Sequence, residues 1–129
     1  MKLDTIDIPG GWMSGVIYTK QMVPHTYPWL SSHYVQEMGQ GITEIKVTCT
    51  CSTLAERDAL ELKCRQTGTK NLYFPSVNGN ADLDDRYYIV KTGQIRWTLI
   101  SATIYQGEFD CLAADPEPYE TATGLHVGA

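Results

Sequence analysis

The chain has 129 residues and a formal net charge of −5, long enough for one domain with a core of its own. The acidic balance argues against a general nucleic-acid binder, which needs a basic face for phosphates. Hydrophobic residues make up 43% and charged residues 19%, a low charged share that suits a surface partly covered in an assembly. No apolar run approaches the ~18 residues that a membrane span requires. Met1 to Pro9 carries Asp4 and Asp7 where a signal peptide has its apolar segment. Synthesis and retention in a cytoplasm are therefore expected, with Cys49, Cys51, Cys64 and Cys111 as reduced thiols.

Residues 1–40 read as an N-terminal arm or hairpin, punctuated by Gly10-Gly11, Gly15, Pro24, Pro28 and Gly39. Val16 to Tyr18 fits a short strand. Trp12, Tyr27, Trp29 and Tyr34 supply aromatic area in a stretch without a clear period, so these four are the candidate inter-subunit contacts. In a monomer the same rings would pack on the domain's own flank.

Residues 41–113 carry the periodic patterns of a mainly β domain. Ile42 to Thr50 alternates, with Ile45, Val47 and Cys49 on one face and Glu44, Lys46 and Thr48 on the other, as a half-buried antiparallel strand requires. Thr53 with Glu56 forms a capping box that opens a helix over about residues 54–66. Ala55, Ala59 and Leu62 share one helical stripe, and Gly68 suits a left-handed residue after the helix. Strands follow at Asn71–Phe74 and Tyr87–Lys91. A long strand is expected from Ile95 to Tyr105, a turn at Gln106-Gly107, and a last strand from Glu108 to Ala113. Short strands joined by tight turns indicate an antiparallel meander. The expected fold is an antiparallel β-sandwich with one docked helix. Asp115-Pro-Glu-Pro118 blocks both helix and central strand, so residues 114–129 read as an extended C-terminal tail.

Candidate chemistry is sparse. The strand spacing Cys49-x-Cys51 places both thiols in core positions and lacks the turn-borne pattern of a zinc knuckle; four structural thiols are expected, each costing ~1 kcal/mol on substitution by Ala. Asn78-x-Asn80-x-Asp82-x-Asp84 resembles the first half of a calcium loop, but position 89 is Ile where a bidentate Glu belongs. Asp82, Asp84 and Asp85 are carboxylates that a hydrolase would use, yet neighbouring aspartates on a polar loop are ordinarily solvated. His25, His33 and His126 belong to no ligand or base–nucleophile pattern. Tyr87, Tyr88, Trp97 and Tyr105 offer an aromatic platform for a carbohydrate or small ligand, against the plainer reading of strand aromatics in a core. The expectation is a protein without catalytic residues, cofactor or metal.

The order of elements carries a resemblance. Thr43-Glu-Ile-Lys-Val-Thr-Cys-Thr50 leads directly into Leu54-Ala-Glu-Arg-Asp-Ala-Leu-Glu-Leu62, a helix with a residue-Arg-Asp-x-Leu run. Leu72-Tyr-Phe74, Arg86-Tyr-Tyr-Ile-Val90, Ile95 to Tyr105 and Glu108-Phe-Asp-Cys-Leu112 follow. Over roughly residues 40–113 this resembles the distal tail proteins and related minor tail proteins of tailed bacteriophages. The resemblance implies a virion structural protein, assembled in the host cytoplasm. It implies a ring, commonly a hexamer, at the distal end of the tail tube, serving as a platform for tube, hub and tape-measure proteins. It also implies a central channel that passes DNA without specific binding, which an acidic lining would suit. The family's second, carbohydrate-binding-like domain has no counterpart after residue 113, so direct host recognition is not implied.

Overall fold

The structure is a computed structural model and describes residues 1–18, 22–25, 34–37, 42–75, 84–115 and 117–127, with 22–25 and 34–37 described by their backbone. In chain order the strands are β1 (Lys2–Leu3), β2 (Ile6–Asp7), β3 (Trp12–Tyr18), β4 (Met22–His25), β5 (Tyr34–Glu37) and β6 (Thr43–Cys51). The helix α1 (Leu54–Arg65) follows, then β7 (Lys70–Phe74), β8 (Arg86–Thr92), β9 (Arg96–Leu99), β10 (Tyr105–Ala113) and β11 (Tyr119–Glu120). The fold is mainly β, antiparallel, with this one helix among the described residues, as the periodicities imply.

The main sheet runs β2-β1-β7-β8-β10-β6-β3, with β11 beside β8 and β9 beside β10. Its centre is β10. One edge of β10 pairs along its whole length with β6, from Tyr105↔Cys51 to Ala113↔Thr43. The other edge is divided: Tyr105 to Glu108 pair with β9, and Cys111 to Ala113 with β8. The strands that would form the two layers of a sandwich are thus joined in one hydrogen-bonded sheet.

Alternation places the core. Ile45, Val47, Cys49 and Cys51 of β6, and Phe109, Cys111 and Ala113 of β10, are buried on the inner face. Leu3, Leu72, Tyr88 and Val90 extend that layer, and α1 closes it with Leu60 and Cys64. Each of the larger buried side chains contributes about 2 kcal/mol. The helix does not dock by the stripe its sequence suggests. Ala55, Ala59 and Leu62 are exposed, and Leu60 and Cys64 face the sheet. The reason is that polar groups also seat this helix. Arg57 lies over the rings of Trp97 and Tyr105, 5.7 and 5.2 Å from their centroids. Thr92 Oγ1 donates to the Cys64 carbonyl at 3.0 Å. Buried Lys70 of β7 donates to the Gln66 carbonyl, placing a cation at the helix's negative end.

The cap forms as expected at its Thr53 half, where the Glu56 N–H donates to Thr53 Oγ1 at 3.3 Å. The helix stops at Gln66 in an extended conformation. Gly68, with φ of +98°, sits two residues beyond in the turn toward β7. Asp4 ties the N-terminal hairpin to the rest: its carboxylate accepts from the Asn71 N–H at 2.8 Å and pairs with Lys63 at 2.9 Å. Burial raises the Asp4 carboxyl, but these two partners outweigh it and hold it below its ordinary range.

Three segments differ from the sequence expectation. β1, β2 and β3, read as part of an arm, are strands of the main sheet. The long strand expected from Ile95 to Tyr105 is broken: β9 ends at Leu99, Ile100 and Ser101 N–H groups both donate to Ile104 O, and β10 begins at Tyr105. Gln106-Gly107 is therefore mid-strand. Glycine is needed there for close approach, since a Cβ at Gly107 would lie 2.7 Å from the Trp97 ring and 2.9 Å from Cys49 Sγ. The expected tail folds back. Tyr119 and Glu120 pair with Tyr87 and Arg86 of β8, and Val127 N–H donates to Pro118 O at 2.9 Å. Pro118 permits this because the short strand it precedes lies at an edge.

Two stability measurements follow. Gly107→Ala should lower the unfolding free energy by about 1–3 kcal/mol in chemical denaturation, through displacement of Trp97; a neutral outcome would mean the ring does not lie over this backbone. Asp4→Asn should cost about 1 kcal/mol at pH 7. Because the Asp4 carboxyl is depressed on folding, its contribution is present above pH ~4 and lost as pH falls through the folded value. Acid titration of the Asn variant should lack that component.

Candidate interaction surfaces

Directly opposed residues of antiparallel neighbours share a face. One such row is Ile17 (β3), Glu44 (β6), Leu112 (β10) and Lys91 (β8). It lies on the outer face, because its chain neighbours Thr43, Val90, Cys111 and Ala113 are buried inward. Ile17 is 55% exposed and Leu112 48%. Ile42 and Ile89 are exposed beside them. Two adjoining depressions of about 350 and 330 Å³ open here and share Lys91 and Leu112. The helix covers the inner face only, so this face is open, with Ile17, Ile42, Ile89 and Leu112 interleaved with Glu44, Lys46, Lys91 and Asp110.

This face meets the edge of the sheet at β3, which pairs only with β6 among the described residues. Trp12 to Tyr18 contains no charged residue, and Trp12, Val16, Ile17 and Tyr18 are all exposed. Edges left to solvent usually carry charge, proline or a cover. A register shift between Met13 and Gly15 kinks this edge, and Ser14 Oγ there accepts from Thr48 Oγ1 at 3.2 Å.

β4 and β5 pair with each other in a separate two-stranded sheet. They continue the β3–β6 hairpin in topology: β3 and β4 form its outgoing limb, β5 and β6 its returning limb. Tyr18↔Thr43 is the last pair of the main sheet, and Met22↔Glu37 begins the separate one. Of the four candidate contact residues, Trp12 is on β3, opposite Thr48 and 47% exposed. Tyr34 is on β5, opposite His25. Tyr27 and Trp29 lie outside the described residues.

The aromatic platform is dispersed by the strand period. Tyr87 and Tyr88 point to opposite faces, and Tyr88 stacks on Phe74 in the core at 5.4 Å. Trp97 and Tyr105 lie under Arg57. The Arg57 Nε and Trp97 Nε1 atoms are buried with no hydrogen-bond partner among the described residues, so stacking itself holds this contact. Tyr87 joins instead a file of rings: Tyr73–Tyr87 and Tyr87–Tyr119 at 5.3 Å, then Tyr119–His126 at 4.1 Å. Asp115 anchors it, accepting from Tyr119 Oη at 2.9 Å with His126 Nε2 at 3.8 Å. Tyr87, Tyr119 and His126 are stacked and cover each other's faces, while Tyr73 is tilted against Tyr87, so the file clamps the C-terminal hairpin to β8. His126 was legible only as a lone tail histidine, since its place depends on that hairpin.

Asn78, Asn80 and Asp82 of the calcium-like run lie outside the described residues, as does His33. The Asp84 carboxylate is 3.3 Å from the Met1 ammonium. The Asp84 and Asp85 carbonyls accept from Thr121 Oγ1 and N–H. Among the described residues no group of three or more His, Cys, Asp or Glu is placed to hold a metal ion. No helix there is long and apolar enough to cross a membrane. All four cysteines are buried free thiols. Burial pushes Cys49, Cys64 and Cys111 up to about 12, and Cys51 upward.

No protein-family model matches the sequence, and no curated protein matches it. The fold has a counterpart among solved structures: the crystal structure of the Dit protein (gp 19.1) of phage SPP1, described as a paradigm of hub adsorption apparatus in phages that infect Gram-positive bacteria. The match has a TM-score of 0.62 at 12% identity, over 85% of this chain and 46% of that one. At that identity the likeness is one of fold, and this chain spans less than half of that protein's length.

The thiols give a direct check on the core. At pH 8 the native protein should resist alkylation by iodoacetamide and expose four reactive thiols on unfolding. Their raised values mean stability is retained below pH ~9 and lost as pH rises toward the folded values near 12. Prompt labelling of any one cysteine in the native state would contradict the burial described.

Proposed function

We propose that this chain is a structural protein of a bacteriophage tail, at its distal end. In this reading six copies form a ring that continues the tail-tube channel, passes DNA without binding it specifically, and supports neighbouring tube, hub and tape-measure proteins. The protein is then a virion component assembled in the host cytoplasm, and it performs no catalysis. The observation that carries the reading is the fold it shares with a phage tail hub protein. The uncharged β3 edge and the hairpin β4–β5 agree with it, because both are features that a neighbouring subunit would cover. The acidic net charge of −5 suits a channel for DNA.

The ligand-binding alternative is not favoured by the geometry: Tyr88 is in the core, Trp97 is covered by Arg57, and Tyr87 is packed between Tyr119, on which it stacks, and Tyr73, against which it is tilted.

In this proposal Trp12, Tyr27, Trp29 and Tyr34 contact the next subunit. Burying two such rings contributes several kcal/mol, at ~25 cal/mol per Å². The test is solution mass by light scattering at micromolar concentration, alone and with tail-tube and hub proteins. A closed oligomer of about six chains, or one formed with those partners, is expected. Trp12→Ala and Trp29→Ala should weaken assembly more than they lower the melting temperature of the dissociated subunit. A strict monomer that joins no tail protein, or the opposite order of effects, would overturn the reading.

A further inference from the structure

We infer that Arg57 of one copy of this chain pairs with Glu44 of a second copy, and that this ion pair centres a contact between subunits. The inference rests on the ring reading above and names two surfaces that meet in it.

Arg57 is a cation without an acidic partner. Arg65 pairs with Glu61, Arg86 stands opposite Glu120, and Arg96 stands opposite Glu108. Among the described residues Arg57 is the one arginine that does neither, and it lies over Trp97 and Tyr105 instead. Its Nε is buried without an acceptor, while the side chain keeps part of its surface. Stacking occupies the face of a guanidinium and leaves its edge, where the N–H groups point, for a planar acceptor such as a carboxylate. Two exposed leucines flank this edge: Leu54, three residues earlier on the helix, and Leu99, opposite the Tyr105 that Arg57 covers.

Glu44 is the matching anion. Of the outward carboxylates on β6 and β10, Glu108 stands opposite Arg96 and Asp110 opposite Lys46. Glu44 stands between two apolar residues, Ile17 on β3 and Leu112 on β10, and all three are exposed. The cations nearest in the ladder are Lys46, which faces Asp110, and Lys91, beyond Leu112. A carboxylate between two apolar side chains complements a guanidinium between two leucines, in charge and in the apolar area around it.

The two groups cannot meet within one chain. Arg57 lies on the inner side, over rings at the Cys51–Tyr105 end of the β6–β10 ladder, and Glu44 lies on the outer side near the Thr43–Ala113 end. The run from Glu44 to Cys51 spans roughly 23 Å, with the sheet itself between the two side chains. A second copy is therefore the occupant. The contact joins different surfaces of the two partners, the kind of interface that closes into a ring when the rotation per subunit permits.

Charge exchange tests this. Glu44→Arg sets like charges against each other at every contact between identical chains, and so does Arg57→Glu. Each variant alone should retain a cooperative melt and need about thirtyfold more protein to assemble than the unaltered chain. Mixed one to one, alternating chains bring opposite charges together at every contact, so assembly at the original concentration and size is expected. A single chain carrying both substitutions should assemble in the same way. Should Arg57→Glu unseat the helix, exposed positions decide the matter. Oxidation of an equimolar mixture of Leu99→Cys and Ile17→Cys chains, in which the native thiols are buried, should give a disulfide-linked dimer that neither chain gives alone.

If Glu44→Arg assembles as the unaltered chain does, the ring stands and this contact is wrong. A mixture that stays dissociated while both charge variants melt cooperatively has the same meaning, as does the absence of a cross-link between the two cysteine variants. An unaltered chain that is monomeric alone and with tail-tube and hub proteins overturns the ring and the contact together.

Discussion

The β6–β10 ladder is the constraint on which the other elements depend. Its nine register pairs run without interruption from Cys51 to Thr43, and they place the inner residues of both strands side by side: Val47 beside Phe109, Ile45 beside Cys111. With that face set, the free edge of β10 is long enough to receive two different partners. β9 takes one end and β8 the other. At the junction Gly93 N–H donates to Asp110 O at 2.8 Å, so the chain passes from one partner to the other with its backbone group satisfied. Gly107 belongs to the same constraint, because only a residue without a side chain lets Trp97 and Cys49 meet across β10.

The helix is held to this ladder by a mixed set of contacts. Leu60 and Cys64 bury apolar area, but Arg57 over Trp97 and Tyr105 fixes the helix laterally. Lys63 with Asp4 joins it to the N-terminal hairpin, and Lys70 joins its end to β7. In the Glu56-Arg57-Asp58-Ala59-Leu60 run, the arginine and the leucine are the two residues that face the sheet. Their spacing of three places both on one side of a helix.

The helix closes one face of the sheet and leaves the other open. The outer face carries exposed Ile17, Ile42, Ile89 and Leu112 among charged residues, and the edge strand β3 carries no charge. In the proposed reading these are the surfaces that neighbouring proteins would cover. Leu60, Phe109 and Cys111 are buried in the core, whereas Ile17, Leu112 and Trp12 are exposed.

Local pattern was enough for much of this. The alternation in Thr43–Cys51, the Thr53 cap, and the strands at Lys70–Phe74 and Arg86–Thr92 were legible because each depends on neighbours within a few residues. The core position of Cys49 followed from the same alternation. Other features required long-range contacts that periodicity does not encode. The helix stripe Ala55-Ala59-Leu62 was a correct helical pattern on the outward side, because the seat of the helix is set by Trp97 and Tyr105, about 40 residues away. Gly107 read as a turn because glycine marks turns and close approaches alike, and only the position of the Trp97 ring distinguishes them. The break in the strand at Ile100–Ile104, the fold-back of residues 117–127 and the file of rings from Tyr73 to His126 each depend on which strand lies beside which. The sequence by itself thus determined the class of those elements whose cues lie within a few residues and, for Thr43–Cys51, which face is apolar. Only the tertiary structure decided which apolar faces are covered, because cover comes from residues distant in the chain.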